Sequence, residues 1–559
     1  MKRLLHFIIA FPVLISVLSG CAMRTPPAIA SEPALKAQRF QIMIKAHDGG
    51  DIAATLWQPA LPAGQTAPLM LHTHGFGLRR MNGGLDLYSL FPTGQIAKQM
   101  WEEGYWLITW NQRGHGGTDG VIDVMNPDLE VRDLTTILDW AEQNIPRLAR
   151  DDNDDIKVGM IGESYGGGIQ LIGTMLDNRI DALVPMTTWY DLESALIPND
   201  VPKGGWIKTL KLAGDWLNFR KLNPPLRDAF KQAMNGQVDE EVRKEYASHA
   251  MSHFCNQGMA PGANALLIQG FRDVLFDMEQ ALQARDCFAR SGRDVTLIAQ
   301  QGGHLLPLEQ PSPSMPLWYL EKQLHCGETP LDTKQVAVDW LKAELGDGRH
   351  PNLPPICVSS EDWGVALNDW PESRSTHTLT AVQLSGHRSG SWRWWTGMMD
   401  WFAGWRTEDS LSQSFAQARD AGIRPAFIPL HTASITEHRV GTPHVHLTSE
   451  HSGLVMAALV KRQAGKASLA LVNDQLAPVP LNQDSALPPI TVALEPGDQL
   501  GLVLFSRHPQ FNTLEMEFGD ATLVSGFLSL PVTVKQLAEV DPAKLNRPGG
   551  SIAITNGAR

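Results

Sequence analysis

The chain has 559 residues, 43% of them apolar, and a formal net charge of −13. That length exceeds what a single core fills, so at least two domains are expected. The acidic balance argues against nucleic acid as a partner, because phosphate binding needs clustered Lys and Arg.

In chain order, Met1-Lys2-Arg3 makes a basic start, Leu4 to Val17 is an apolar stretch too short for a comfortable membrane span, and Leu18-Ser19-Gly20-Cys21 closes it. The closing tetrapeptide resembles the lipobox of bacterial lipoproteins. The resemblance implies a signal peptide over 1–21, lipidation of Cys21 and membrane contact through that anchor alone. With Ala22 rather than Asp next, it implies an outer-membrane, periplasm-facing location. Residues 22–37, rich in Pro and Ala, read as a tether.

The segments Phe40 to Ile44 and Ile52 to Trp57 suit an antiparallel pair turned by Asp48-Gly49-Gly50. Strand Leu69 to His72 runs into His74-Gly75-Phe76-Gly77, and a helix near Ile96 to Glu103, a strand Tyr105 to Trp110 and a helix Leu129 to Gln143 follow. The apolar run Ile156 to Ile161 ends in Gly162-Glu163-Ser164-Tyr165-Gly166, with a helix expected from Tyr165 to Leu176. Strands Ala182 to Met186, Ala265 to Gln269 and Val295 to Ala299 continue the alternation. Such alternation predicts a mainly parallel sheet covered on both faces, an α/β fold over 38–347.

Between Trp189 and Met259 the strand rhythm breaks into helices, and a cap over about 190–259 is expected. Helices are expected again at Met315 to Leu324 and Thr333 to Leu345, and Gly346, Gly348, Pro351, Pro354 and Pro355 mark a boundary. From 354 to 559 the rhythm is of strands alone, among them Val445 to Leu447, Leu454 to Val460, Ser468 to Val472 and Leu500 to Phe505. It reads as an all-β sandwich or jelly roll.

A strand reversing into a helix through Gly-x-Ser-x-Gly lifts a serine out of the sheet, with small residues where the backbones meet. Ser164 is therefore the candidate nucleophile, and the helix N-terminus behind it favours developing negative charge. A serine needs a base and the base an orienting acid, in the chain order Ser, Asp or Glu, His. Asp273 follows the strand Ala265 to Gln269 and His304 follows Val295 to Ala299, both at the sheet edge where such sites sit. Asp277 is the alternative acid, although it suits the cap of a helix beginning near Met278. The oxyanion donors expected are the backbone N–H groups of Tyr165 and Phe76. Trp189 and Tyr190, leading into the cap, are candidate walls of an acyl pocket.

Three motifs taken together, Gly162 to Gly167, Gln112-Arg113-Gly114-His115-Gly116-Gly117-Thr118-Asp119-Gly120 and Gln269-Gly270-Phe271-Arg272-Asp273, resemble the X-prolyl dipeptidyl-peptidase and cocaine-esterase-like (CocE/NonD) hydrolases. Trp363 to Pro371 and Leu494 to Asp498 extend the likeness into the terminal β-domain. The resemblance implies an α/β-hydrolase fold with a helical cap insertion and a C-terminal jelly roll. It also implies an ester- or amide-cleaving activity through Ser164, Asp273 and His304, with a small ester, amide or peptide as substrate. Where that family often has a Tyr hydroxyl in the oxyanion loop, this chain has Phe76, so the second donor would be backbone. Action on a free peptide N-terminus would need a carboxylate for the ammonium, and Asp191, Glu193 and Asp200 in the cap are the candidates. General esterase or amidase action therefore ranks above dipeptidyl-peptidase action. A catalytically idle binding lipoprotein on the same scaffold is the alternative.

Four further cysteines, Cys255, Cys287, Cys326 and Cys357, would lie in an oxidising compartment after export. They allow three pairings, of which sequence proximity favours Cys255 with Cys287 and Cys326 with Cys357. No metal site and no cofactor are expected: Cys-x-x-Cys spacing is missing, and Asp151-Asp152-Asn153-Asp154-Asp155 lacks the Gly and closing Glu of a calcium loop. The tryptophans Trp392, Trp394, Trp395, Trp401 and Trp405 suit packing between domains.

Overall fold

The computed structural model describes residues 32–540 except 85, 219–220, 305–319, 327–329, 361–362, 374, 385–425, 506–509 and 512–521. The signal segment with Cys21 and the tryptophans at 392–405 lie outside the described residues. Among the described residues no helix is long and apolar enough to cross a membrane.

The first half is an alternation of strands and helices. Strands β1 (Gln38–Lys45), β2 (Asp51–Gln58), β3 (Leu69–Thr73), β4 (Trp106–Trp110), β5 (Val158–Glu163), β6 (Ala182–Met186), β7 (Asn264–Gly270) and β8 (Val295–Gln300) enter one sheet. A short ribbon of β9 (Gln323–Leu324) and β10 (Leu331–Asp332) stands apart, and β11 (Ile356–Ser359) with β12 (Gly364–Leu367) returns to complete the order β1-β2-β4-β3-β5-β6-β7-β8-β11-β12. From β4 through β11 every neighbour is parallel, whereas β1, β2 and β12 pair antiparallel at the two edges.

Side-chain alternation builds a core on each face of this sheet. Leu69 and Leu71 pack on one face while Met70 between them packs on the other, and Trp106 and Ile108 oppose Leu107 in the same way. Helices α1 (Pro92–Glu102), α2 (Arg132–Asn144), α3 (Tyr165–Leu176), α9 (Met278–Arg290) and α10 (Thr333–Glu344) cover the two faces, and between β6 and β7 the cap contributes α4 (Leu192–Leu196), α5 (Gly204–Leu212), α6 (Pro224–Met234), α7 (Glu240–Tyr246) and α8 (Met251–Asn256). The fold is that of an α/β-hydrolase, and a β-sandwich follows it.

In the sandwich, Ser375–Leu384, Thr522–Leu530, His444–Thr448 and Asp484–Ala486 form one sheet. Ala426–Thr432, Gln499–Phe505, Leu454–Arg462 and Ala470–Leu471 form another, with Ala477–Pro480 alongside Leu454–Arg462. Val455, Leu459, Leu502 and Leu528 are among the side chains that fill the space between.

The structure differs from the sequence reading in four places. The domain boundary expected at 354 comes later, because β11 pairs parallel with β8 and keeps 356–367 in the hydrolase sheet. The tether expected through 37 is already tied at Leu35, whose N–H and carbonyl both pair with Leu61 at 2.9 and 3.1 Å. The helix expected over Met315 to Leu324 is not formed in its described part, where β9 pairs with β10 instead. The strand expected from Ser468 to Val472 is cut to Ala470–Leu471, because Asn473 and Asp474 take left-handed φ values of 52° and 58° and turn the chain towards the hydrolase domain. Cys255 is joined to Cys287, and Cys326 to Cys357, with Cα separations of 6.3 and 5.2 Å.

Candidate active site

Ser164 sits at the reversal between β5 and α3 with φ 52° and ψ −115°, a conformation a side chain adopts only when its surroundings enforce it. The surroundings do so from three sides: the Ser164 N–H donates to the Met186 carbonyl at 2.9 Å, while the Ser164 carbonyl accepts from Gly167, Gly168 and the Thr188 hydroxyl at 2.9 Å each. The two flanking glycines are steric necessities. A Cβ at Gly162 would lie 2.7 Å from the Gly166 carbonyl oxygen, and one at Gly166 would lie 2.6 Å from that of Thr73.

His304, just past β8, spans the gap between the other two groups. Its Nδ1 is 2.9 Å from Asp273 Oδ2 and its Nε2 is 3.1 Å from Ser164 Oγ. An ionised carboxylate can only accept, so Nδ1 carries the proton and Nε2 presents its lone pair to the serine hydroxyl. The three groups are 7%, 4% and 0% exposed for Ser164, His304 and Asp273, so water competes little for these bonds.

Asp273 is held on every side. Its Oδ1 accepts from the Leu275 and Phe276 N–H groups at 3.0 and 2.9 Å, and Gln269 Nε2 donates to Oδ2 at 3.1 Å. The buried Lys203 ammonium donates to the Leu275 carbonyl at 2.9 Å and adds positive charge near Asp273 and Asp277; burial lowers its own pKa. Asp277, the alternative acid, instead caps α9 by accepting from Glu279 N–H at 3.1 Å. The edges of Trp206 and Phe276 pack against the His304 ring, each with centroids 5.3 Å away, and give the imidazole an apolar surround.

Opposite the imidazole, the turn after β3 carries Phe76. The N–H groups beside it are taken: Gly75 donates to the Tyr88 hydroxyl at 2.6 Å and Gly77 to His115 Nε2 at 3.1 Å. His115 Nδ1 lies 3.0 Å from the Arg113 carbonyl, and His74 uses Nδ1 on Gly75 O and Nε2 on the Gln112 N–H in the same fashion. Burial holds His115 well below its ordinary pKa and His74 at about 4, so both rings are neutral acceptors that brace the turn. The Phe76 ring meets Tyr165 edge-on at 5.2 Å. Tyr165 is the first residue of α3, where a helical N–H has no acceptor four residues back.

Behind this turn the Tyr88 hydroxyl also donates to Glu163 at 2.5 Å, tying the turn to the residue before the serine. Burial pushes the Glu163 carboxyl up to about 7 against the pull of the Thr93 and Tyr88 hydroxyls. On the other side Val124 and Met125 adopt left-handed φ of 54° and 66°, pinned because Glu130 accepts from the N–H groups of Asp123 and Asn126 at 2.6 and 3.1 Å.

A cavity of about 910 Å³, counting its open mouth, leads from Ser164 into the cap. Phe76, Trp189 and Phe276 line it near the serine, and mostly apolar side chains of α4 to α7, aliphatic ones together with Phe230 and Tyr246, line the rest.

This architecture can be set beside known proteins. Residues 48–306 match the X-Pro dipeptidyl-peptidase family (S15). Over that segment, less than half of the chain, it is similar to the S15 peptidases, the family its motifs resemble. A 125-residue stretch is 28% identical to an uncharacterised 31.7 kDa protein of the traX-finO intergenic region of Escherichia coli, covering 22% of this chain but only 38% of that relative. Three solved structures share the fold across both domains. An aminopeptidase from the marine sediment archaeon Thaumarchaeota archaeon has a TM-score of 0.62 at 13% identity, covering 89% of this chain and 96% of its own. An alpha-amino acid ester hydrolase has 0.61 at 14%, covering 91% and 100%. A CocE/NonD family hydrolase from Staphylococcus aureus has 0.60 at 11%, covering 89% and 97%.

Within this site the structure brings together Ser164, His304, Asp273, Tyr165, Phe76 and Trp189. Tyr190 is a correction: it does not line the cavity, and its hydroxyl lies near the charges of Asp286 and Arg290 at the end of α9. Trp189 turns into the pocket, whereas Tyr190 sits at a bend after β6 and faces α9. The cap acids are each held by a partner, Glu193 within the cavity lining itself. Asp191 caps α4 through Ser194 N–H and accepts from Ser252 at 2.7 Å, while Arg243 pairs with Glu193 and, at 3.0 Å, with Asp200. The sequence reading missed Tyr88, Gln269 and Trp206, and also Gln475 of the β-domain, whose Nε2 donates to the carbonyls of Phe271 and Asp273 at 2.7 and 2.9 Å. Only Gln269 had a visible signal, as part of the run ending in Asp273. Among the described residues no group of three or more His, Cys, Asp or Glu side chains is placed to hold a metal ion.

Proposed function

We propose that this protein is an S15-family hydrolase that cleaves carboxylic esters, and secondarily amides, through an acyl-enzyme on Ser164. The observation that carries the proposal is the unbroken hydrogen-bond chain from Ser164 Oγ through His304 to Asp273. Oγ attacks the carbonyl carbon as its proton passes to His304 Nε2, and the N–H groups of Tyr165 and Phe76 stabilise the oxyanion. The bond to the alcohol or amine then breaks, and the leaving group takes the proton from Nε2. Water, deprotonated by the same nitrogen, attacks the acyl-serine; the acid departs and Ser164 regains its proton. Asp273 stays ionised throughout and holds the imidazole in the tautomer the cycle needs.

The fold is shared with an aminopeptidase and with an alpha-amino acid ester hydrolase, so both kinds of bond fit the scaffold. The pairing of Glu193 and Asp200 with Arg243, and of Asp191 with Ser194 and Ser252, favours esters over substrates carrying a free ammonium. Labelling with a fluorophosphonate probe tests the reading: the parent protein should form one adduct, on Ser164, and Ser164→Ala none. Absence of an adduct on well-folded parent protein would instead favour a binding role.

We also propose export and lipid anchoring at Cys21, supported by the residues 1–21 and by two disulfides suited to an oxidising compartment. Cys21→Ser should move the protein from the membrane pellet to the soluble fraction of fractionated cells.

A further inference from the structure

The cavity that starts at Ser164 extends past the reacting groups into the cap, and its walls are mostly apolar. It opens to solvent near Ser164 and runs inward between the cap helices. Beyond the entrance its lining passes through four successive cap helices, with Leu196 on α4, Leu210 on α5, Leu226 and Ala233 on α6 and Val242 on α7 outnumbering the aromatic Phe230 and Tyr246. Among the described residues the lining contains two charged side chains, Glu193 and Arg243, and these hydrogen-bond to each other. An ammonium or carboxylate drawn into such a space would lose its hydration with no free counter-charge to replace it. A sugar would leave most of its hydroxyl groups without partners along a mostly apolar wall.

Resting on the Ser164 acyl-enzyme reading above, we infer that the substrates are esters of linear aliphatic acids of medium to long chain, with the acyl tail laid along the cap helices and the alcohol leaving towards solvent. Each added methylene buried in the cavity should raise kcat/KM by roughly fourfold until the tail fills it. The selectivity belongs to the cap, because the entrance residues Phe76, Trp189 and Phe276 meet every acyl group whereas α4 to α7 meet only a long one.

The experiment is a series of p-nitrophenyl esters from acetate to palmitate, assayed with the full chain below the micelle concentration of each ester. Benzoyl and phenylacetyl esters and Ala-Pro anilide run beside them. Expected is a rise of at least roughly 100-fold from acetate to octanoate, with the aromatic esters and the anilide well below octanoate. Ala233→Phe should lower the octanoate-to-acetate ratio by at least about tenfold. Ala229→Leu, on the same helix and also lining the cavity, adds less bulk and serves if the Phe variant does not fold. Fluorophosphonate labelling of Ser164 confirms that each variant is folded and active-site competent. A flat series, or an optimum on the anilide or the aromatic esters, in protein that labels normally would overturn this inference and leave the serine-hydrolase reading standing. Failure of the parent to label or to turn over any ester would overturn both.

Discussion

Gln475 of the β-sandwich donates a hydrogen bond from Nε2 to the backbone carbonyl of Asp273, 2.9 Å away, and a second to that of Phe271 at 2.7 Å. It is 5% exposed, and its neighbours reinforce the contact: Asp474 pairs with Arg272 at 2.7 Å, and Asn473 Nδ2 donates to Gln301 Oε1 at 2.9 Å. The second domain thus grips both loops that carry the acid and the imidazole. Gln475→Leu would leave two buried carbonyls unpaired and free the acid loop to shift. The expected result is a fall in kcat of roughly 10- to 100-fold with KM little changed, measured on one ester alongside the thermal midpoint.

Tyr88 joins the serine elbow to the oxyanion turn by accepting from Gly75 and donating to Glu163. Tyr88→Phe keeps the ring and deletes that bridge, which costs about 1–3 kcal/mol for the groups left unpaired. Denaturant titration should show that loss. Because the Phe76 donor rides on the same turn, kcat should also fall by roughly tenfold, whereas a purely structural role would leave kcat of the folded fraction unchanged.

Glu130 supplies a pH dependence with a definite sign. Burial raises its pKa from 4.5 to about 8, so between those values the folded state keeps a proton that the unfolded chain has released. Stability from this group is complete below about pH 4.5 and is lost as pH rises through about 8. Glu130→Gln does not titrate. Across that window the variant should lose less stability than the parent, by up to about 1.4 kcal/mol per pH unit, in urea melts at stepped pH.

Cys255 in the last cap helix is bonded to Cys287 on α9, 32 residues on. A crosslink closing a loop of that size stabilises by roughly 3–4 kcal/mol. Cys255→Ser, or mild reduction, should lower the thermal midpoint by several degrees. Because α8 ends the cap, the variant should also be cut by proteases within the cap earlier than the parent. Equal midpoints in oxidising and reducing buffer would argue against a stabilising crosslink.

Much of the hydrolase half was legible in the order of its residues. A strand, a Gly-x-Ser-x-Gly turn and a helix are local patterns, and Gly162 and Gly166 are dictated by contacts a few ångströms away. Asp273 and His304 could be nominated because each follows a buried strand, and strand ends gather at one edge of a parallel sheet. Tyr190 failed as a pocket wall because the direction of a side chain at a bend after a strand is set only by the finished backbone. The strand expected at Ser468 to Val472 failed because its end is bent by left-handed residues that meet the other domain.

What the sequence by itself determined is therefore the set of short-range consequences: alternating elements, the strained serine turn, the helical character of the cap and the strand rhythm beyond it. Tertiary structure alone decided which side chains share the site. Tyr88 meets Glu163 across 75 residues and Gln475 meets Asp273 across 202, and the mostly apolar character of the cavity emerges only when four cap helices turn their apolar faces to one space. Propensity and periodicity act over a few residues, whereas these contacts arise from the packing of whole elements, which no local pattern encodes.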